Sequence, residues 1–457
     1  MQIARPRLSV VGLGKLGSPM VAVFAHKGYE VIGIDLNPKL VEALAEGRAP
    51  VTEPMLQEFL TSGQERIRAT QDYEVAISQS DITFVIVPTP SGSDHLFSNA
   101  YVLDAVRRIG RELRKKAGYH VVAITSTVVP GSTDGEIRSA LEQASGRKVG
   151  SDIGLCYNPE FIALGSVIRD MLNPDMILIG ESDPRAGQML ESLYNDITES
   201  TPEIHRMSLV NAELTKISIN TFVTTKISYA NMIADMCDHL PGADAAVVNR
   251  AVGADSRIGR KYLKSAIGYG GPCFPRDNKA FAALAHLLGA RPDLAEATDS
   301  INDYQLERLR KAIEENTGKG ETVAILGLSY KPDTVVVEAS QGVMLALQLT
   351  RCGFKVAVWD AQALEPASAI LGDAVSAYSD VLKAIQRAST VVLMTPWADL
   401  RGITSLDLTS DGVRRAVIDP WRMLSKEAQD SVASYVTLGR GNETFAPAPI
   451  SSRSPAA

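Results

Sequence analysis

Two clusters in this chain of 457 residues have residue types and spacing suited to chemistry: a glycine-spaced turn near the start and a cysteine in a glycine-rich loop. In RLSVVGLGKLGSPM, Gly12, Gly14 and Gly17 stand between a strand-like run and a helical one, and Asp35 closes the next run, EVIGID, 18 residues beyond Gly17. This is a dinucleotide fingerprint in its required context. Gly12 permits the tight turn, Gly14 lets backbone approach a pyrophosphate, Gly17 lets helix and strand pack closely, and the helix N-terminus supplies positive dipole. Leu13 and Leu16 lie inside the same turn and are placed with the glycines in the cofactor site. A carboxylate at position 35 can accept both ribose hydroxyls and repels a 2′-phosphate, so the expected cofactor is NAD rather than NADP. A glycine turn beside an exposed aspartate is the competing reading, which the flanking strands disfavour. Thr89 in VIVPTP, and Ser126 and Thr127 in ITSTVVPGST, fall at strand C-termini, where doubly wound sheets bind ligands. Ordinary strand-end capping competes for each of these three.

The second cluster is GYGGPCFPRD, where Gly268, Gly270 and Gly271 allow close backbone approach and Asp277 follows Cys273 by four residues. Such a loop suits an exposed, reactive thiol; an isolated cysteine would instead read as a small buried hydrophobe. The other cysteines, Cys156, Cys237 and Cys352, lie far apart without metal-ligand spacing, and the six histidines form no cluster. Reduced thiols and no metal site are expected.

These clusters need elements to hold them. Residues 7–90 alternate short β-branched runs with helical stretches, and further strand candidates follow at HVVAITST, IGLCYNPE and MILIGES. That rhythm predicts a doubly wound parallel sheet, an N-terminal Rossmann-like domain over residues 1–200. From Leu209 to about His239 a run without Gly or Pro has apolar positions at helical spacing, which predicts one long helix. It belongs to a central helical region, residues 201–305, interrupted by the cysteine loop. A second alternation, ETVAILGLSYKPD, KVAVWDA, TVVLMTP and AVIDP, predicts a second α/β domain over residues 306–440. The Pro-, Ser- and Ala-rich tail, residues 441–457, has little to bury and is expected to be disordered.

Hydrophobic residues make up 45% of the chain and charged residues 22%, and no apolar run reaches the roughly 18 residues that span a bilayer. The start, MQIARPRLSV, lacks the pattern of a signal peptide, so a cytoplasmic, soluble protein is expected. A formal charge of −7 argues against nucleic-acid or anionic-membrane partners and leaves room for a local basic pocket.

Taken in order, the motifs VGLGKLG, EPML, VPTP, STVVPGST, NPEF, ELTKISIN, KIS, DSRIGRKYLKSAIGYGGPCFPRD and GLSYKPDT resemble those of the UDP-glucose/GDP-mannose dehydrogenase family. The match extends to about residue 435. The resemblance implies an enzyme that oxidises C6 of a nucleotide-linked hexose twice with NAD, most simply UDP-glucose to UDP-glucuronate. Cys273 would then be the nucleophile that carries a thiohemiacetal and a thioester. Lys216 and Asn220, four apart on the predicted helix, would share a face and stabilise alkoxide charge, with Asp277 taking the proton through a water. Glu160 would assist thioester hydrolysis, and Thr127 would join the catalytic group. For the substrate, the resemblance points to Glu160, Phe161, Lys216, Asn220, Tyr262, Leu263, Lys264, Gly270 and Lys331. It also implies that Arg257 reaches the neighbouring subunit of a homodimer and that Arg276 contacts the cofactor.

Two positions depart from the family pattern. Ala163 and Leu164 stand before Gly165, where the family often has a glutamate, and Glu338 stands where it has an arginine that touches NAD. The first removes a carboxylate near the cofactor; the second reverses a charge. The same chemistry on GDP-mannose, dTDP-glucose or a UDP-N-acetylhexosamine is the runner-up. A two-electron β-hydroxyacid dehydrogenase would need no Cys273, and a non-catalytic nucleotide-sugar-binding protein would not need Lys216, Asn220, Cys273 and Asp277 all intact.

Overall fold

β-branched residues fill a pleated surface well, and here they form eight short strands in the first half of the chain. These are β1 (Leu8–Val11), β2 (Val31–Ile34), β3 (Ile67–Thr70), β4 (Ile82–Val85), β5 (His120–Ile124), β6 (Ile153–Tyr157), β7 (Met176–Glu181) and β8 (Glu203–Met207). The computed structural model describes residues 5–162 and 164–441, and its contacts divide the chain into two units, Met1–Ser218 and Ile219–Ala457.

In the first unit the sheet order is β3-β2-β1-β4-β5-β6-β7-β8, and the first six strands are parallel in the dinucleotide-fold order. Every residue of β1, β2, β4, β5 and β6 is buried, as expected where helices cover both faces. The helix Gly17–His26 is buried along nearly its whole length. The expectation of a wholly parallel sheet is corrected at its far side: β7 runs antiparallel to β6, pairing Cys156 with Glu181 and Tyr157 with Gly180. Among the described residues of the connection the one helix, Val167–Leu172, has six residues, too short for the crossover that parallel pairing needs.

The long predicted helix is present as Leu209–Asp238, 30 residues that begin in the first unit and end in the second. The second unit continues with helices Ala245–Val252, Phe274–Leu287 and Asp293–Asn316. A second sheet follows: β9 (Thr322–Leu326), β10 (Lys355–Trp359), β11 (Ser376–Ala377), β12 (Thr390–Leu393), β13 (Ala416–Ile418) and β14 (Ser434–Val436). Its order, β11-β10-β9-β12-β13-β14, repeats that of the first six strands, and all its pairs are parallel. The buried Arg308 guanidinium pairs with Asp235 at 3.2 Å and with Asp238, tying the helix Asp293–Asn316 to the end of the long helix. Arg422 pairs with Asp244 at 2.7 Å and joins the second sheet to the helical region, so the two form one unit by contact.

Among the described residues, no helix is long and apolar enough to cross a membrane, and no group of three or more His, Cys, Asp or Glu side chains could hold a metal. Of the expected tail, residues 442–457 lie outside the described residues, as does Ala163.

Candidate active site

The glycine turn has the close packing that the fingerprint requires. Gly12 holds φ +100°, and a Cβ at Gly17 would sit 1.7 Å from the Gly12 carbonyl oxygen, so helix and turn meet at a distance only glycine allows. A Cβ at Gly14 would meet nothing within 4 Å, which leaves that side open. The Asp35 carboxylate accepts from Leu13 N–H at 2.7 Å and from Asn37 N–H at 2.8 Å. Each oxygen thus has one protein donor and keeps a lone pair for a ribose hydroxyl. The first turn of the helix Gly17–His26 carries no acidic residue and no side-chain cap, so its N–H end suits a phosphate. The cradle fits a dinucleotide.

The loops after β4 and β5 complete that edge. Thr89 is buried, Thr127 is half-buried, and the Ser126 hydroxyl donates to the Val87 carbonyl at 2.7 Å while accepting Val87 N–H at 2.8 Å. Ser126 therefore knits the two loops together. The buried Glu213, on the long helix, accepts from Gly131 N–H at 2.6 Å and Thr133 N–H at 2.7 Å, which fixes the irregular backbone beyond Thr127. Burial raises the Glu213 pKa.

One turn along the same helix, Lys216 is 8% exposed, and its ammonium donates to the Glu160 carbonyl oxygen and lies 4.5 Å from the Phe161 ring centroid. Its charge is held in place before any substrate arrives. Glu160 follows the end of β6, half-buried, with one carboxylate oxygen 3.2 Å from the Tyr194 hydroxyl. Burial pushes the Glu160 carboxyl up to about 7, against the pull of the Lys216 charge. Leu164 packs against the apolar core of this unit, which gives the missing carboxylate an apolar replacement. The Glu53 carboxylate of EPML accepts Gly165 N–H at 3.0 Å and Val167 N–H at 2.7 Å, pinning the loop that carries Leu164.

In the second unit Cys273 is exposed and is the N-cap of the helix Phe274–Leu287, so its sulfur stands at the positive end of the helix dipole. Asp277, fully buried in the first turn, accepts from Asn220 Nδ2 at 2.6 Å, and Arg276 approaches its other oxygen at 3.4 Å. Arg276 is thereby engaged with Asp277. The cysteine loop is locked against the segment after β9. Gly271, at φ +86°, donates its N–H to the Glu338 carbonyl at 3.0 Å, and a Cβ there would meet the Tyr330 ring at 2.5 Å. A Cβ at Gly270 would lie 2.3 Å from the Ala339 carbonyl oxygen. The Glu338 side chain is exposed.

Of the expected substrate residues, Leu263 is buried, Tyr262 is exposed at φ +62° with its ring edge-on to Phe274, and Lys264 lies 5.6 Å from the Trp421 ring centroid. Lys331 is half-buried, 6.0 Å from the Tyr330 ring centroid. Arg257 is exposed and paired with Asp255 at 2.7 Å within its own chain. Tyr194, Glu213, Glu53 and Tyr330 were not singled out from the sequence. The motifs flagged the loops they hold, but their contacts span tens of residues.

The second sheet repeats the first cradle. Gly327, at φ +113°, ends β9, and a Cβ at Gly342 would sit 2.2 Å from its carbonyl oxygen. Asp360 after β10 accepts Leu328 N–H at 2.6 Å, as Asp35 accepts Leu13. Unlike Asp35, it is buried and also accepts from Ser329, Gln362, Ala363 and the Trp397 indole.

Comparison with known proteins identifies the family. Residues 6–198, 210–304 and 324–426 match the NAD binding, central and UDP binding domains of one family. The UDP-glucose 6-dehydrogenase of Haloferax volcanii is 34% identical over 92% of this chain and 97% of its own length. The UDP-glucose 6-dehydrogenase TuaD of Bacillus subtilis is 32% identical over 95% of this chain and 93% of its own. The solved UDP-glucose dehydrogenase of Pyrobaculum islandicum superposes with a TM-score of 0.87 at 34% identity, covering 95% of this chain and 98% of that one. With all three domains matched in order along most of its length, the chain belongs to the UDP-glucose/GDP-mannose dehydrogenase family and is an NAD-dependent nucleotide-sugar dehydrogenase.

Proposed function

We propose that this enzyme oxidises the C6 alcohol of UDP-glucose to the carboxylate in two steps, with Cys273 as covalent nucleophile. The observation that carries the reading is Cys273 itself: an exposed thiol capping a helix whose first turn holds a buried carboxylate, Asp277, fixed by Asn220. The relatives that act on UDP-glucose favour that sugar nucleotide over GDP-mannose, on which a Pseudomonas putida relative, 32% identical over 78% of this chain, acts.

Gly12, Leu13, Gly14, Leu16, Gly17 and Asp35 would hold NAD, with Thr89, Ser126, Thr127 and Arg276 around it. When bound, NAD supplies the hydride acceptor for both oxidations. In the first, Lys216 stabilises the alkoxide as Asp277 takes the hydroxyl proton through an intervening water. The Cys273 sulfur then bonds to the aldehyde carbon, giving a thiohemiacetal. Its carbon-bound hydride would pass to NAD and its hydroxyl proton to water, leaving a thioester. Water adds to the thioester carbon, Glu160 takes its proton, the carbon–sulfur bond breaks, and the Cys273 thiolate returns. Tyr262, Leu263, Lys264, Gly270, Phe161 and Lys331 would bind the sugar nucleotide, the lysines through its phosphates.

A homodimer accompanies this reading. Phe222, Tyr229, Met232 and Met236 form an exposed apolar stripe along the long helix, suited to a second copy. Arg257 would then leave Asp255 for the partner's site.

The test is a panel of nucleotide sugars assayed for NADH. UDP-glucose should give two NADH per sugar and no free aldehyde. A preference for another sugar nucleotide would overturn the substrate, and one NADH per sugar would overturn the chemistry. In Cys273→Ala the second NADH should vanish or become very slow; if it forms at the parent rate, the covalent route is wrong.

A further inference from the structure

Glu160 must gain and lose a proton if it activates water, and the structure shows what lies behind it. Tyr194, on the helix Pro184–Ile197 and 2% exposed, places its hydroxyl 2.6 Å from Asn158 Oδ1 and 3.2 Å from Glu160 Oε1. Asn158, 1% exposed at the end of β6, donates through Nδ2 to the Leu178 carbonyl at 3.0 Å. A carbonyl only accepts, so that bond fixes the orientation of the amide and turns Oδ1, an acceptor, toward Tyr194.

The consequence is a conflict over one proton. Tyr194 has a single O–H, and two acceptors face it when Glu160 is ionised. If the proton goes to Asn158, an ionised Glu160 meets the lone pairs of the tyrosine oxygen. If it turns to Glu160, the buried Asn158 Oδ1 loses its donor, which costs about 1–3 kcal/mol. Every partner is satisfied only when Glu160 is protonated: Glu160 then donates to Tyr194, Tyr194 to Asn158, and Asn158 to Leu178.

We propose that Asn158 and Tyr194 are positioning residues that hold a ready acceptor for the proton Glu160 takes from water, so that the pair stabilises the acid form of Glu160. This rests on the role given to Glu160 above. The charged group facing Glu160 from the other side is Lys216, whose ammonium is bonded to the Glu160 carbonyl oxygen and favours the carboxylate. The Glu160 pKa of about 7 reflects burial, opposed by the Tyr194 hydroxyl and then by the Lys216 charge. The fixed Asn158 amide, 2.6 Å from the hydroxyl against 3.2 Å for Glu160, weakens the tyrosine's opposition by competing for its proton. A tyrosine that simply donated to Glu160 would do the opposite.

That difference in sign is the test. The titration of the Glu160 carboxyl is followed by infrared difference spectroscopy on the full chain carrying carbon-13 glutamate, with Glu160→Gln identifying the band. Asn158→Ala removes Oδ1 and releases the Tyr194 proton to Glu160; the Leu178 carbonyl loses its Asn158 donor equally in both backgrounds, so the comparison between them isolates the tyrosine. The midpoint should fall by about one to two pH units, a ten- to hundredfold loss of proton affinity. In the Tyr194→Phe background the same substitution should not move it. Asn158→Ser, whose hydroxyl is too short to take the place of Oδ1, serves if the alanine variant does not fold. An unchanged or raised midpoint, or an equal fall in the Phe background, overturns the proposal. The titration is read without substrate, so it decides the proton network even if thioester hydrolysis turns out to use another base.

Discussion

A carboxyl that titrates near 7 makes the enzyme less stable at the pH where it is ionised, and Glu160→Gln should show by how much. An unfolded glutamate titrates near 4.3–4.5, whereas burial holds Glu160 at about 7 in the folded chain. Because the folded pKa is the raised one, the folded state binds the proton more tightly. The stability this gives is full below pH 4.5 and is lost as pH rises through 7. With those two values the linkage relation gives a loss of about 1 kcal/mol by pH 5 and about 3 kcal/mol by pH 8. Glutamine keeps the shape and cannot ionise. The stability of the variant relative to the parent should therefore improve by about 2 kcal/mol between pH 5 and pH 8, while thioester hydrolysis collapses. Urea denaturation followed on the transition of the first unit, at both pH values, reads the difference. A variant-minus-parent difference that stays flat across that range would mean that Glu160 titrates as an ordinary exposed carboxyl, and the acid–base role would lose its physical basis.

Other substitutions probe the remaining supports. Gly271→Ala places a Cβ on backbone at φ +86° and 2.5 Å from the Tyr330 ring. It should cost about 1–3 kcal/mol of stability and lower kcat with NAD affinity unchanged; full activity at parent stability would show that the cysteine loop tolerates displacement. Asp35, held by Leu13 and Asn37, should give a kcat/KM for NAD far above that for NADP, and equal values would remove Asp35 from the ribose. Glu338→Arg should tighten NAD binding, since a cation replaces an anion; an unchanged dissociation constant would mean that the exposed Glu338 side chain faces only solvent.

The interior strands were legible because burial on both faces leaves an almost continuous apolar run, as in LSVV of β1 and HVVAI of β5. The edge strands were not. β8 reads EIHRM with its side chains half exposed, and β11 has two exposed residues, so neither carries an apolar signal. The reversal of β7 was equally hidden, since MILIGE suits either direction of pairing. For the two candidate clusters, local spacing was enough to single out the turn of Gly12, Gly14 and Gly17 with Asp35, and the loop of Cys273 with Asp277, as candidates. What it could not convey was which distant groups hold these loops, as Glu213 holds the backbone beyond Thr127 and Tyr194 meets Glu160. Such contacts depend on how the helices lie against the sheet. The departure at Leu164 has a plain role in packing, which a sequence comparison can register only as a missing charge.

A chain that folds the same cradle twice faces a problem of misdelivery, because a dinucleotide could in principle enter either one. Asp360 answers it. Its two oxygens together take six protein donors, counting both the N–H and the hydroxyl of Ser329, in a buried pocket. No lone pair is left for a ribose, and the counterpart of the aspartate proposed to read the cofactor in one cradle serves as a rivet in the other. The second cradle thereby offers a ribose no free carboxylate at this position. Saturation of hydrogen-bond capacity, with the strand order unchanged, is enough to remove one ribose-binding group from a repeated architecture.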